Sequence, residues 1–204
     1  GHVRYSTSGE SGLKNAQPIL IDCAHGELAI AHNGNLVNAQ ELRDQLVKQG
    51  SIFQTTSDTE VLLHLYARSQ APTIEQALVE SVAQAQGAFS LVLLTKDKLV
   101  AIRDPHGFRP LTIGRLGDAY IVTSETCALD LIDAEWVRDV EPGEMIVISH
   151  SGTQSFHPFA PARLRALATL AAFLLSWGMA VAHASSLERH RHGSDAVLCP
   201  EAHP

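Results

Sequence analysis

The chain has 204 residues, 45% of them hydrophobic, and a formal net charge of −7. That is enough apolar material for one substantial core with an appendage, which excludes disorder throughout, and too acidic a balance for nucleic-acid binding, although one local Arg suffices for a small anionic or zwitterionic substrate. Cys23, Cys127 and Cys199 are scattered and form no CxxC pair, so no zinc or redox motif is indicated; a reducing cytoplasmic compartment fits, and no basic-then-apolar leader opens the chain.

The opening Gly1-His2-Val3-Arg4-Tyr5-Ser6-Thr7 has no initiator Met and no leading Cys, Ser or Thr, and reads as the interior of an enzyme. Arg4 and Thr7 stand at i and i+3 in a turn-rich stretch, so a guanidinium fork and a hydroxyl can both reach one carboxylate. A solvated, exposed Arg4 is the plainer alternative. Cys23 falls in the linker that follows. The short apolar run 28–31 is closed by His32-Asn33-Gly34-Asn35, which predicts a buried strand entering a tight turn. There an Asn side-chain amide and a Gly backbone N–H can converge on a developing negative oxygen, as oxyanion holes require; an ordinary Asn-Gly hairpin is the competing reading.

Three helices are expected next. Asn38 can cap the first, with Glu41 three residues on, Leu42 and Leu46 on one face and Gly50 as the stop. The second starts at Ser57-Asp58-Thr59-Glu60, with Val61, Leu62, Leu65 and Tyr66 toward a core. Ser57 and Asp58 are capping types, and a carboxylate at that place can equally grip a substrate ammonium; both readings stand. The third follows the capping-box pattern Thr73-Ile74-Glu75-Gln76.

After Gly87 the pattern changes to short β-rich runs at 88–95, 99–103, 111–114, 119–123 and 145–149, separated by tight turns. Close connections favour antiparallel pairing, and helices followed by strands predict a layered α+β domain with helices covering sheets. The charged connection Arg103-Asp104-Pro105-His106-Gly107-Phe108-Arg109-Pro110 reads as a salt-bridged structural turn, with His106 a loop residue rather than a general base. Beyond His157 comes an uncharged run, 166–182, and a polar tail, 185–204. At about 1.5 Å per residue the run only just spans a hydrocarbon core of roughly 30 Å. A buried or partner-facing helix is the expectation, with a membrane span or a departure from the parent fold as alternatives.

Taken in order, GHVRYST, HNGN, TTSDTEVLLH, RDPHGFRPL, SETCALD and VRDVEPGEM resemble the glutaminase half of the amidophosphoribosyltransferase family, and the resemblance covers residues 1 to about 165. The related glucosamine-fructose-6-phosphate aminotransferases share the first three patterns more loosely. The resemblance implies a class II glutamine amidotransferase domain over 1–160, an α+β, four-layer αββα sandwich of N-terminal-nucleophile hydrolase type, followed by a divergent apolar helix and polar tail over 161–204. It implies hydrolysis of glutamine to glutamate and ammonia. A phosphoribosyltransferase domain then uses the ammonia to displace pyrophosphate from phosphoribosyl pyrophosphate, giving phosphoribosylamine for purine biosynthesis. Carried over by position, Arg4 and Thr7 would hold the glutamine α-carboxylate, Asn33 and Gly34 would form the oxyanion hole, and Asp58 would bind the α-ammonium.

The family nucleophile is an N-terminal cysteine whose own amine is its base, whereas residue 1 here is Gly1. Cys23, Cys127 and Cys199 do not replace it, and Cys127 is expected as a small buried residue. The resemblance further implies no metal or cofactor within this chain, magnesium in the family's phosphoribosyltransferase domain, and a homo-oligomer; the acidic balance argues against a nucleic-acid partner, and the length of the apolar run against a membrane one. The expectation is a partial sequence that binds glutamine with little or no hydrolysis; its rival is a non-catalytic glutamine-binding or interaction module.

Overall fold

Strands buried on both faces organise the computed structural model, which describes residues 1–3 and 12–159. Arg4, Thr7 and the apolar run 166–182 lie outside the described residues. A 3-10 turn, Leu13–Asn15, leads into β1 (Ile19–Cys23) and β2 (Gly26–Leu36), followed by α1 (Ala39–Lys48), α2 (Thr59–Arg68) and α3 (Ile74–Val82). Then come β3 (Gly87–Leu94), β4 (Lys98–Arg103), β5 (Thr112–Leu116), β6 (Ala119–Thr123), α4 (Cys127–Asp130), β7 (Glu135–Asp139), β8 (Met145–Ser149) and β9 (Gly152–Phe156). The strands form an antiparallel six-stranded sheet, β1-β2-β3-β4-β8-β9, and a three-stranded sheet, β6-β5-β7.

Period-two alternation decides where each side chain goes. Val100 and Ile102 of β4, with Met145 and Val147 of β8, face the helices and pack with Leu62, Leu63 and Tyr66 of α2 and Leu78 of α3. Their neighbours Ala101, Ile146 and Ile148 face the second sheet and meet Leu111, Ile113 and Val140. Apolar residues on both faces produce the near-continuous hydrophobic runs of the sequence, although the sheet is antiparallel. Beyond the second sheet, Leu129 of α4 covers Gly114, where a Cβ would run into its methyl groups. The layers are therefore helices, sheet, sheet and the single turn of α4.

Several expectations change. Asn33-Gly34 is not a turn, because β2 continues through Leu36 and pairs with β3 from Ala29↔Leu94 to Leu36↔Gly87. Gly34 and Gly87, both at φ +149°, permit this pairing: a Cβ on Gly34 would strike the Ala88 carbonyl oxygen, and one on Gly87 the Asn35 carbonyl oxygen. Asn38 does not cap α1; its side chain donates to Gln84 O at 2.9 Å and accepts from Gln86 N at 3.0 Å, fastening the entry to β3. Thr73 does cap α3, accepting from Gln76 N at 3.2 Å. Cys23 ends β1 rather than lying in a linker, and Cys127 is exposed rather than buried.

The 103–110 connection is structural, and its charged side chains are held by backbone groups. Arg103 spends its guanidinium on the carbonyl oxygens of Arg109, Val140 and Gly107 at 2.8, 2.8 and 3.1 Å. The fully buried Asp104 accepts from the N–H groups of His106, Phe108 and Arg109. Each charge closes the loop through backbone groups that would otherwise be unpaired. His106 sits in this loop, as expected.

One ion pair ties the two sheets. Arg138 of β7 makes a two-pronged contact with Glu144 at 2.7 and 2.8 Å, and Glu144 also accepts from Ser155 Oγ of β9 and Glu141 N. Burial works against the carboxylate, yet these donors and the Arg138 charge hold its pKa down at about 2. A depressed carboxyl contributes stability above its unfolded value that is lost as pH falls through the folded one. Glu144→Gln is therefore expected to cost about 2 kcal/mol at neutral pH, allowing for solvent at Arg138, and the deficit to shrink on acidification from about pH 4.5 toward pH 2. Urea titrations of both proteins at neutral and acid pH measure this. Gly87→Ala is expected to lose about 3 kcal/mol or more in the same assay, because strand pairing and positive φ both oppose the methyl.

Candidate active site

Along β2, the alternation sends His32 and Asn33 to opposite sides of the sheet. Asn33 faces the second sheet and lines a cavity of about 380 Å³, with Ala29 and Ala31 of its own strand, Ser90 and Val92 of β3, and Leu111, Val122, Thr123 and Ser124 opposite. Gly1 and His2 also reach this cavity. Its walls are largely apolar with a few polar groups, the composition of a small-molecule site. His32 faces the helices, buried to 4% exposure, with Nδ1 3.1 Å from Thr59 Oγ1 and 3.5 Å from Asp58 Oδ1. A carboxylate beside Nδ1 favours the tautomer with its proton there. His32 Nε2 is then a buried acceptor with no partner among the described residues.

Asp58 occupies the N-cap position of α2 but makes no capping bond. Its Oδ2 instead accepts from Leu36 N at 2.9 Å, across to the end of β2. Ser57 takes the capping part, its Oγ accepting from Thr59 N at 3.3 Å. Burial raises the Asp58 pKa, but His32 and the Leu36 N–H outweigh it and the net shift is downward. The carboxylate is thus ionised at neutral pH, with Oδ2 accepting from Leu36 N and Oδ1 3.5 Å from His32 Nδ1. That leaves acceptor capacity for a cation.

The loop that delivers Asp58 is polar but firmly held. Glu60, 8% exposed, accepts from Gln54 N, Thr55 N and Thr55 Oγ1 at 2.7 to 2.8 Å. Arg43 of α1 donates to the carbonyls of Thr55 and Ser57 and stacks 4.0 Å over the Phe53 ring. From the other side Asn15 exchanges two bonds with Thr56, at 2.8 and 3.0 Å. Gln17 bridges β2 and α2: its Oε1 accepts from His32 N at 2.6 Å and its Nε2 donates to Thr59 Oγ1 at 3.2 Å. The bridging contacts of Asn15, Gln17 and Thr59 escape a motif-based reading, because they join residues 15 to 42 apart in sequence.

Of the described site residues, then, Asn33 lines the cavity, Gly34 follows it at the close crossing with β3, and Asp58 sits against the helix-facing side of the same strand. Gly34 and Asp58 are not on the cavity wall. Arg4 and Thr7 are outside the described residues. Neither Cys23 nor Cys127 reaches the cavity. Cys127 donates a hydrogen bond to Glu125, and that bond, reinforced by the carboxylate's charge, pushes the thiol pKa up, away from the thiolate a nucleophile needs. Among the described residues no cluster of His, Cys, Asp and Glu is placed to hold a metal, and no helix is long and apolar enough to cross a membrane.

Comparison with known proteins agrees with the motif order. Residues 2–131 match the family model described as a glutamine amidotransferase domain. The chain is 51% identical over 156 residues to amidophosphoribosyltransferase of Bacillus subtilis, covering 76% of this chain and 33% of that protein. It is 56% identical over 157 residues to the chloroplastic amidophosphoribosyltransferase of Glycine max, covering 76% and 28%. The solved glutamine phosphoribosylpyrophosphate amidotransferase of B. subtilis, complexed with ADP and GMP, superposes with a TM-score of 0.73 at 49% identity, covering 77% of this chain and 34% of that one. The chain thus spans about a third of the length of the relatives it matches. With its α+β layers of the N-terminal-nucleophile hydrolase type and this similarity to amidophosphoribosyltransferases, the chain belongs to the glutamine amidotransferase domain family.

Proposed function

We propose that this chain is the glutamine-recognising part of a purine-biosynthetic amidophosphoribosyltransferase. The observation that carries the reading is the Asn33 carboxamide in an inter-sheet cavity, on a strand whose end is braced by the ionised Asp58 carboxylate. A glutamine carries an ammonium that suits Asp58, a carboxylate that suits Arg4 and Thr7, and a side-chain amide whose carbonyl oxygen becomes an anion during hydrolysis. In this mechanism a thiolate adds to the amide carbon. Asn33 Nδ2–H and Gly34 N–H stabilise the oxyanion, the C–N bond breaks, and ammonia leaves with a proton. Water then releases glutamate from the thioester.

Neither Cys23 nor Cys127 reaches the cavity, and the reading takes the thiolate from the N-terminal cysteine that the family resemblance implies. The ammonia is consumed on phosphoribosyl pyrophosphate by a phosphoribosyltransferase domain, where magnesium belongs, within a homo-oligomeric cytoplasmic enzyme. The free thiols of Cys23 and Cys127 suit that compartment.

Calorimetry on the chain tests recognition. Glutamine is expected to bind, and Asp58→Asn to weaken it by about 10-fold or more through loss of the ammonium partner, while 4-carbamoylbutanoic acid, which lacks the amino group, binds both proteins alike. An equal loss for both ligands would assign Asp58 to structure alone. Because the Asp58 pKa is depressed, glutamine affinity should stay level between about pH 5 and pH 8. The group's contribution to folding is present above the ordinary carboxylate range and falls away as pH drops through the lowered value. Asp58→Ala, which leaves the Leu36 N–H unpaired, is expected to cost about 2 kcal/mol in urea at neutral pH. Glutamate release from the chain alone should stay near background, and robust turnover would overturn the assignment of the nucleophile.

A further inference from the structure

β1 and β2 pair from Ile19↔Ile30 to Cys23↔Gly26, so beyond Ile30 the edge of β2 has outrun its partner. Proline at position 18 has no N–H, and it is the Gln17 side chain that continues the ladder: its Oε1 takes the His32 N–H at 2.6 Å. The same carboxamide turns its Nε2 to Thr59 Oγ1 at 3.2 Å, and Thr59 Oγ1 also meets His32 Nδ1 at 3.1 Å and Ser57 Oγ at 3.0 Å. Thr59 is fully buried. One side chain therefore joins the residue before Asn33 to the residue after Asp58.

From this juxtaposition we propose that Gln17 and Thr59 are specificity-determining positioning residues: they fix the separation between the ammonium-binding carboxylate and the amide-binding strand, and with it the length of amino-acid side chain the site accepts. The inference rests on the glutamine reading above and deepens it. A carboxamide is suited to the task because it offers an acceptor to one element and a donor to the other in a planar unit of fixed span. A rigid span discriminates between ligands that differ by one methylene only if neither end can follow a shorter ligand. Neither residue is placed against substrate. Their action runs through His32 and Asp58, so they are distinct from the groups proposed to touch the ligand.

The chain is tested by calorimetry with glutamine and asparagine, which is one methylene shorter, using native protein, Gln17→Ala, Thr59→Val and Thr59→Ser. Hydrogen exchange at Leu36 N–H, which Asp58 accepts, gives a second readout that needs no ligand. Gln17→Ala and Thr59→Val should reduce the glutamine-to-asparagine affinity ratio by about 5-fold or more, since a single methylene is worth 10-fold or somewhat more in a fitted site. Both should speed Leu36 exchange while leaving Leu91 in the core unchanged, and Thr59→Ser should retain the native ratio. Uniform weakening of both ligands, or an unaltered ratio with native Leu36 exchange, overturns the proposal while the glutamine reading survives. Failure of native chain to bind glutamine overturns the glutamine reading and the length selectivity with it.

Discussion

The placing of β2 between a helical layer and a second sheet is the constraint on which the rest depends. A strand covered by helices on one side and a second sheet on the other cannot shift by one residue without moving its whole set of side chains to the wrong layer. Leu28, Ile30, His32 and Leu36 belong to the helical side, while Ala29, Ala31 and Asn33 belong to the inter-sheet side. The strand therefore carries two kinds of chemistry on one backbone: a buried polar junction behind and a carboxamide in a cavity in front. Gly34 and Gly87 secure this by letting β2 and β3 approach where a side chain on either would block pairing.

The charged residues of the loop before α2 and of the 103–110 connection follow a common rule, in which they are satisfied mainly by backbone. Asp58 takes Leu36 N–H, Glu60 takes the N–H groups of Gln54 and Thr55, Asp104 takes three N–H groups of its own loop, and Arg103 takes three carbonyls. Such bonds cost less in desolvation than unpaired charges and hold irregular backbone without a hydrophobic contact of its own. The result is a loop from Gln54 to Asp58 that is polar in sequence yet braced from α1, from α2 and from the segment that precedes β1. A site built on such a loop can hold a ligand's charged end at a set distance from a strand.

How much was legible depended on whether the signal was local. The strands at 98–103, 119–123 and 145–149 and the Thr73 cap stand out because apolar alternation and capping chemistry act within a few residues. β7 and β9 do not: Glu135–Asp139 and Gly152–Phe156 are largely exposed, and their pairing with β5 and β8 supplies what their composition lacks. Asn33-Gly34 misleads for the opposite reason. The dipeptide is a strong turn signal, but eight paired residues of β3 hold it extended. Asn38 likewise gives up capping for a contact with the entry to β3, 46 and 48 residues away.

The family and the layered α+β class are legible along the chain. Asn33, Gly34 and Asp58 stand out there as candidates, because motif order and residue chemistry are written along the chain. Only the tertiary structure decided which way each of those groups points. It put Asn33 in the cavity, closed Gly34 against β3, turned Asp58 from helix capping to Leu36, and recruited Gln17 and Thr59 as the link between them. The physical reason is that orientation and hydrogen-bond partners depend on which distant backbone lies alongside, and that is settled by the packing of two sheets and a helical layer rather than by any stretch of neighbouring residues.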